Sequence, residues 1–157
     1  MAAYGAFVVV IGLFSVWPEY RFLNSDEAMI SLTFSHAAER VETCRRLTQD
    51  ELNALPPNMR KPDECPRERH AAYLELRANG ELLYSGLLLP SGIWNDGKAN
   101  IYNRTTVAAG DYVLAVSMND SGTEDRFDYE YQESLHIRAG QNLVVSFDNL
   151  NKRFVFD

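Results

Sequence analysis

The sequence predicts a mainly β chain. The expected fold is an antiparallel sandwich of seven or eight strands, with an N-terminal transmembrane helix and a disulfide-closed insert that carries a short helix. Three observations predict it. Residues 2–17 form an uncharged apolar run, the remainder falls into short alternating segments punctuated by Gly, Pro and Asn, and the two cysteines bracket a polar stretch. The chain has 157 residues, the length of one domain. With 46% hydrophobic and 24% charged residues it has the composition of a packed globular chain rather than a disordered one. A formal charge of -7, from 22 acidic and 15 basic residues, argues against a basic groove, so nucleic acid is excluded as a partner.

The first segment reads AAYGAFVVVIGLFSVW, which is apolar on every face and so belongs in lipid rather than on a protein surface. Phe7, Val8, Val9, Val10, Ile11, Leu13, Phe14 and Trp17 are the expected membrane-facing side chains. Sixteen residues of helix reach only about 24 Å against a hydrocarbon core of about 30 Å, so the span must recruit Met1, Pro18 and Tyr20 or thin the bilayer. Pro18 is placed to end the helix, and Trp17 and Tyr20 to sit at the interface. A cleaved secretory signal and a buried helix of a soluble domain are the rival readings. Against the signal stand the lack of Lys or Arg before Arg21 and the Pro-Glu-Tyr-Arg-Phe sequence where a small-residue cleavage site belongs. The expected organisation is an anchor at 1–20, a linker at 21–28 and an extracytoplasmic sandwich at 29–157, with an insert at 40–72. The flank after the anchor carries Glu19, Arg21, Asp26 and Glu27, which favours translocation of the C-terminal part.

Cys44 and Cys65 are an even pair in a domain expected to be exported, which favours a bridge between them. The enclosed sequence has few apolar residues and cannot hold itself down by burial; closing such a loop contributes about 3 kcal/mol on the chain-entropy model. Two free thiols are the alternative, as is a metal site in which His36 and His70 join the cysteines. Neither cysteine belongs to a C-x-x-C pair and the spacing matches no strong zinc signature, so no metal and no cofactor are expected.

The strands follow in order. Residues 29–35 alternate with Ile30, Leu32 and Phe34 on one face. Within the insert, Thr48 and Glu51 form a T-x-x-E capping box that opens a helix over 49–55, which Pro56 and Pro57 stop. Residues 73–78 and 81–88 are a hairpin about Asn79-Gly80, the dipeptide that suits a right-twisted two-residue turn. A loop at 90–97 precedes a strand at 100–107. Next come 112–118, with Tyr112, Leu114, Val116 and Met118 on one face, and 128–137, with Tyr129, Tyr131, Leu135 and Ile137 on one side. Residues 143–147 and 153–156 complete the series, and turn signals at intervals of about eight to twelve residues point to a sandwich.

TTVAAGDYVLAVSM followed by LHIRAGQNLVVSF, between Thr105 and Phe147, resembles the paired V-x-A-G-x-Y-x-L-x-V and L-x-x-G-Q-x-x-x-V-x-F strands of prealbumin-like, PEGA-type and related immunoglobulin-like bacterial envelope domains. The resemblance implies an immunoglobulin- or prealbumin-like sandwich and carries no activity with it. The insert bearing both cysteines departs from that pattern and is the expected specialised part.

Candidate chemistry is sparse. No phosphate-binding loop, G-x-S-x-G elbow or H-E-x-x-H pair occurs, so no catalytic residue is assigned and no enzyme is expected. His136 falls on the solvent face of its strand. Residues 119–133 hold Asp120, Glu124, Asp125, Asp128, Glu130 and Glu133 against Arg126, which reads as a solvated acidic loop; a cation site or a docking surface for a basic partner are the alternatives. Trp94 stands in a loop among small and polar residues with Tyr102 nearby. It either folds back over the core, anchors an interface or stacks on a ligand. The insert sets seven basic side chains, among them Arg45, Arg46, Arg60 and Lys61, against six acidic ones, a balance that either orients the domain against a partner or an anionic surface or is a solvated loop with local ion pairs.

These features lead to one expectation of function: a non-enzymatic, single-pass accessory or assembly subunit of a larger bacterial membrane complex, an electron-transfer complex being one host. The chain is expected in the inner membrane with its C-terminal domain in the periplasm, and its partners are the membrane and other membrane-protein subunits. A glycan-binding envelope module using Trp94 and Tyr102, and a periplasmic metal-handling protein, are the alternatives.

Overall fold

The computed structural model describes residues 2–17, 22–123 and 125–157. Glu19, Tyr20, Arg21, Pro18 and Glu124, to which the sequence assigned a helix end, an interface and part of the acidic loop, lie outside the described residues. Helix α1 (Ala2–Val16) is followed by strand β1 (Glu27–His36), which is longer at both ends than its alternating core requires. The insert contains strand β2 (Arg45–Arg46), helix α2 (Gln49–Ala54), a 3-10 turn (Pro57–Met59) and strand β3 (Asp63–Glu64). Strands β4 (Ala72–Ala78), β5 (Glu81–Leu88), β6 (Ala99–Ala108), β7 (Gly110–Asn119), β8 (Tyr129–Ile137), β9 (Asn142–Asp148) and β10 (Arg153–Phe156) complete the chain.

Eight strands form two four-stranded sheets, in the orders β10-β9-β1-β6 and β5-β4-β7-β8. All neighbours are antiparallel except β1 and β9, which run parallel with Met29 opposite Asn142. The inward residues of β1 (Ala28, Ile30, Leu32), β4 (Leu74, Leu76), β7 (Leu114, Val116, Met118) and β9 (Leu143, Val145, Phe147) meet between the sheets and are all buried. Period-2 alternation in the sequence therefore translates directly into the two inner faces. Asn79 (φ 51°) and Gly80 (φ 84°) both take left-handed backbone, the conformation that a tight right-twisted hairpin requires and glycine adopts at no steric cost.

The expected transmembrane helix is not supported, because no helix among the described residues is long and apolar enough to cross a membrane. Helix α1 has 15 residues, about 22 Å of axis against about 30 Å of hydrocarbon. Its large side chains are nonetheless open to solvent, Phe7, Val8, Phe14 and Val16 each being more than half exposed, so the helix does not pack into the sandwich and the buried-helix alternative fails.

Strand directions give the molecule two unlike ends. Strand β1 enters at Glu27, beside the turn at 108–110 and the loop at 138–141: Ala109 donates to Asp26 O and Gly140 to Glu27 O. It leaves at His36, about 30 Å away for ten residues of strand. The insert, the loop at 89–98, the acidic loop and the loop at 149–152 all lie at this second end, which is called the far end below.

Candidate functional site

The insert is an arm built from local polar contacts. Arg40 and Arg69 form a bridge, Val41 N donates to Glu68 O, and the ladder continues through Arg45 opposite Glu64 and Arg46 opposite Asp63. Cys44 and Cys65 are joined by a disulfide on this ladder, and no free cysteine remains. Beyond it the capping box is present as expected: Thr48 Oγ1 accepts from Glu51 N, and Glu51 Oε2 accepts from Thr48 N at 2.8 Å. Neither α2 nor the 3-10 turn buries a single residue. The disulfide and a few polar contacts therefore carry the arm, as the shortage of apolar residues implied.

Arg45 is the hinge of those contacts. Its guanidinium donates to Glu51 Oε1 and to Glu64 Oε2, both at 2.7 Å, tying the helix and β3 to β2. The Arg45 hydrogen bond, aided by the Thr48 backbone amide, lowers the Glu51 carboxyl to about 2. Arg60 caps the end of α2 through Leu55 O at 3.0 Å. These two candidates thus have structural partners, while Arg46 and Lys61 lie exposed elsewhere on the arm.

At its base the arm is fastened to the loop at 89–98. Arg69 N donates to Asn95 O, Arg69 Nε to Asp96 O at 3.1 Å and Arg69 Nη1 to Ala38 O at 2.7 Å; Arg67 pairs with Asp96. The loop closes on itself, with Gly97 N donating to Ser91 O and Asn95 N to Gly92 O. Gly92 (φ 93°) and Asn95 (φ 50°) take left-handed backbone on either side of its tip, Ile93-Trp94. Ile93 is 93% and Trp94 71% exposed, so Trp94 does not cap the core; the reading in which it folds back over the sandwich is overturned. The tip instead opens beside the arm onto an open concavity of about 840 Å³ lined by Trp94, Arg45, Cys65, Arg67, Glu42 and Glu68, among others.

Tyr102 is not part of this concavity. It sits on the outer face of edge strand β6, opposite Thr33, with the Arg104 guanidinium 4.9 Å from its ring centre, so one ring face is occupied. Trp94 and Tyr102 are thus not assembled into one stacking site. Of the six interface or ligand candidates, the fold brings together Trp94 and Arg45.

The acidic loop departs most from expectation. Asp120 is buried rather than solvated, its Oδ2 lying 2.6 Å from His36 Nε2. Asn149 Oδ1 lies 2.7 Å from His36 Nδ1, and the orientation of that amide is set by Asn149 Nδ2 donating to Ser35 O at 3.0 Å. Both ring nitrogens therefore face side-chain oxygens, and the ring ties the end of β1 to two loops. Phe147 packs edge-on to the His36 ring at 4.9 Å, and Tyr129 stands at 6.2 Å. Burial and the nearby Asp120 carboxylate push the Tyr129 hydroxyl pKa up. Asp128 Oδ2 accepts from Asp120 N (2.9 Å) and Ser121 N (3.0 Å), and these bonds outweigh burial in holding its carboxyl below the usual range. Asn119 Nδ2 closes the loop onto Thr123 O and Arg126 O. The sequence signal for this network is His36 itself, which continues the inward alternation of Ile30, Leu32 and Phe34 at the end of β1.

Among the described residues no group of three or more His, Cys, Asp or Glu side chains is placed to hold a metal ion, and the two sulfurs are bonded to each other. The metal-site alternative for Cys44, Cys65, His36 and His70 is withdrawn. His136 is exposed, as expected, and contacts Asp111 Oδ1 at 2.8 Å. No protein-family model matches the chain, and no curated protein matches it either.

Proposed function

We propose that the chain is a non-enzymatic, membrane-attached accessory or assembly subunit that presents the far end of its sandwich to other subunits of a bacterial membrane complex, an electron-transfer complex being one host. The observation that carries this reading is the division of the molecule into two ends. The chain enters the sandwich at Glu27, and the stapled arm and the Ile93-Trp94 tip project from the opposite end.

A helix apolar all round has no polar face to offer water, and lipid is the solvent that suits it. Its shortfall in length is made up, on this reading, by the residues that flank it, by local thinning of the bilayer or by packing against other helices. A disulfide on an exposed arm supports an oxidising compartment and hence an inner-membrane protein with a periplasmic domain. Two four-stranded antiparallel-rich sheets support placing that domain among the prealbumin-like and PEGA-type sandwiches. The two exposed apolar side chains at the tip of a closed loop are the kind of rigid anchor that protein interfaces use. Purification from native membranes in mild detergent tests the reading: co-elution with other membrane subunits, lost in Ile93→Ser/Trp94→Ser, supports it, whereas elution as a lone monomer contradicts it.

A further inference from the structure

We infer that the concavity between the arm and the Trp94 tip receives a basic segment of the partner protein, an exposed Arg or Lys side chain seated on the Trp94 ring between Glu42 and Glu68. This deepens the docking reading and rests on it.

The charges around the concavity are unequally committed. Both of its arginines are already neutralised, Arg45 by Glu51 and Glu64 and Arg67 by Asp96. Glu42 and Glu68, both exposed, have no cation partner among the described residues. The lining therefore offers two uncompensated carboxylates and no free cation. Trp94, also open to solvent, adds the aromatic face that attracts a guanidinium or ammonium most strongly. The cations that line the concavity are already paired, so the charge that complements Glu42 and Glu68 comes from outside it. An acidic segment would meet only carboxylates there, and a purely apolar one would strand them against a dry surface. Shape agrees with the charge: the walls are set by the disulfide on one side and by the closed loop at 91–97 on the other, so little ordering accompanies binding.

The test uses the full chain in mild detergent carrying Trp17→Phe, which leaves Trp94 as the sole tryptophan. The probe is a short peptide amide of alternating glycine and arginine, with its glycine-glutamate counterpart as control. Saturable change in Trp94 emission with the arginine peptide alone is expected, and Glu42→Gln/Glu68→Gln should weaken it by about tenfold or more. Both carboxylates are exposed and unpaired, so the fold survives their replacement. No response, an equal response to both peptides, or an undiminished response in the double variant overturns the inference. Photo-crosslinking in native membranes from benzoylphenylalanine placed at Ile93 separates the two levels. A subunit captured equally well by the parent and by Glu42→Gln/Glu68→Gln leaves docking intact and overturns the basic segment. Failure to capture any membrane subunit overturns docking and the basic segment with it.

Discussion

His36 is the residue on which the far end turns. Its ring joins the end of β1 to the loops that carry Asp120 and Asn149, beside Phe147 and Tyr129, where an unpaired polar group is costly. Removing one partner of this buried contact leaves the other without its hydrogen bond, so His36→Ala or Asp120→Asn is expected to cost about 1–3 kcal/mol in denaturant unfolding. A loss below about 1 kcal/mol for both, the range of an exposed pair, would show that the pair is solvated. Glu51 makes a separate prediction. Its carboxyl is lowered from 4.5 to about 2, mainly by Arg45. A depressed carboxyl contributes stability that is complete above its unfolded value and is lost as pH falls through its folded one. Titration followed by carboxyl carbon shifts should place Glu51 near 2, with the arm tightly capped until the pH approaches that value; a midpoint near 4.5 would mean that Arg45 is not its partner. The Thr48–Glu51 box was legible because its two partners are three residues apart. The His36–Asp120 contact was not, because its partners are separated by 84 residues and only the packed sheets bring them together.

Among the elements, the strands were legible and the arm was only partly so. Alternation located all eight sandwich strands to within one or two residues at each end, since burial on one face imposes a strict period of two. Pairs β2 and β3, two residues each, carry no such signal: neither has a buried face, and their pairing follows from the disulfide next to them. The same fact yields a prediction. With nothing buried in α2, the arm depends on the Cys44–Cys65 bond, whose loss corresponds to about 3 kcal/mol of loop-closure entropy. Cys44→Ser/Cys65→Ser should therefore melt the arm locally. Hydrogen exchange should show protection lost at Leu47 and Leu52 and kept at Leu74 and Val116; uniform loss across the sandwich would contradict a separately held arm.

At the scale of the whole molecule, the apolar leader was legible both as composition and as a helix, which runs over Ala2–Val16 and ends one residue short of the uncharged run 2–17. On the proposed function the molecule has one end for lipid and one for protein. Trp17 and Trp94, the two tryptophans of the chain, report those ends separately. Quenching of tryptophan emission by lipids brominated on their acyl chains, in vesicles carrying Trp94→Phe or Trp17→Phe, measures the claim directly. Strong quenching of Trp17 and none of Trp94 is the predicted result; quenching of both, or of neither, would contradict it.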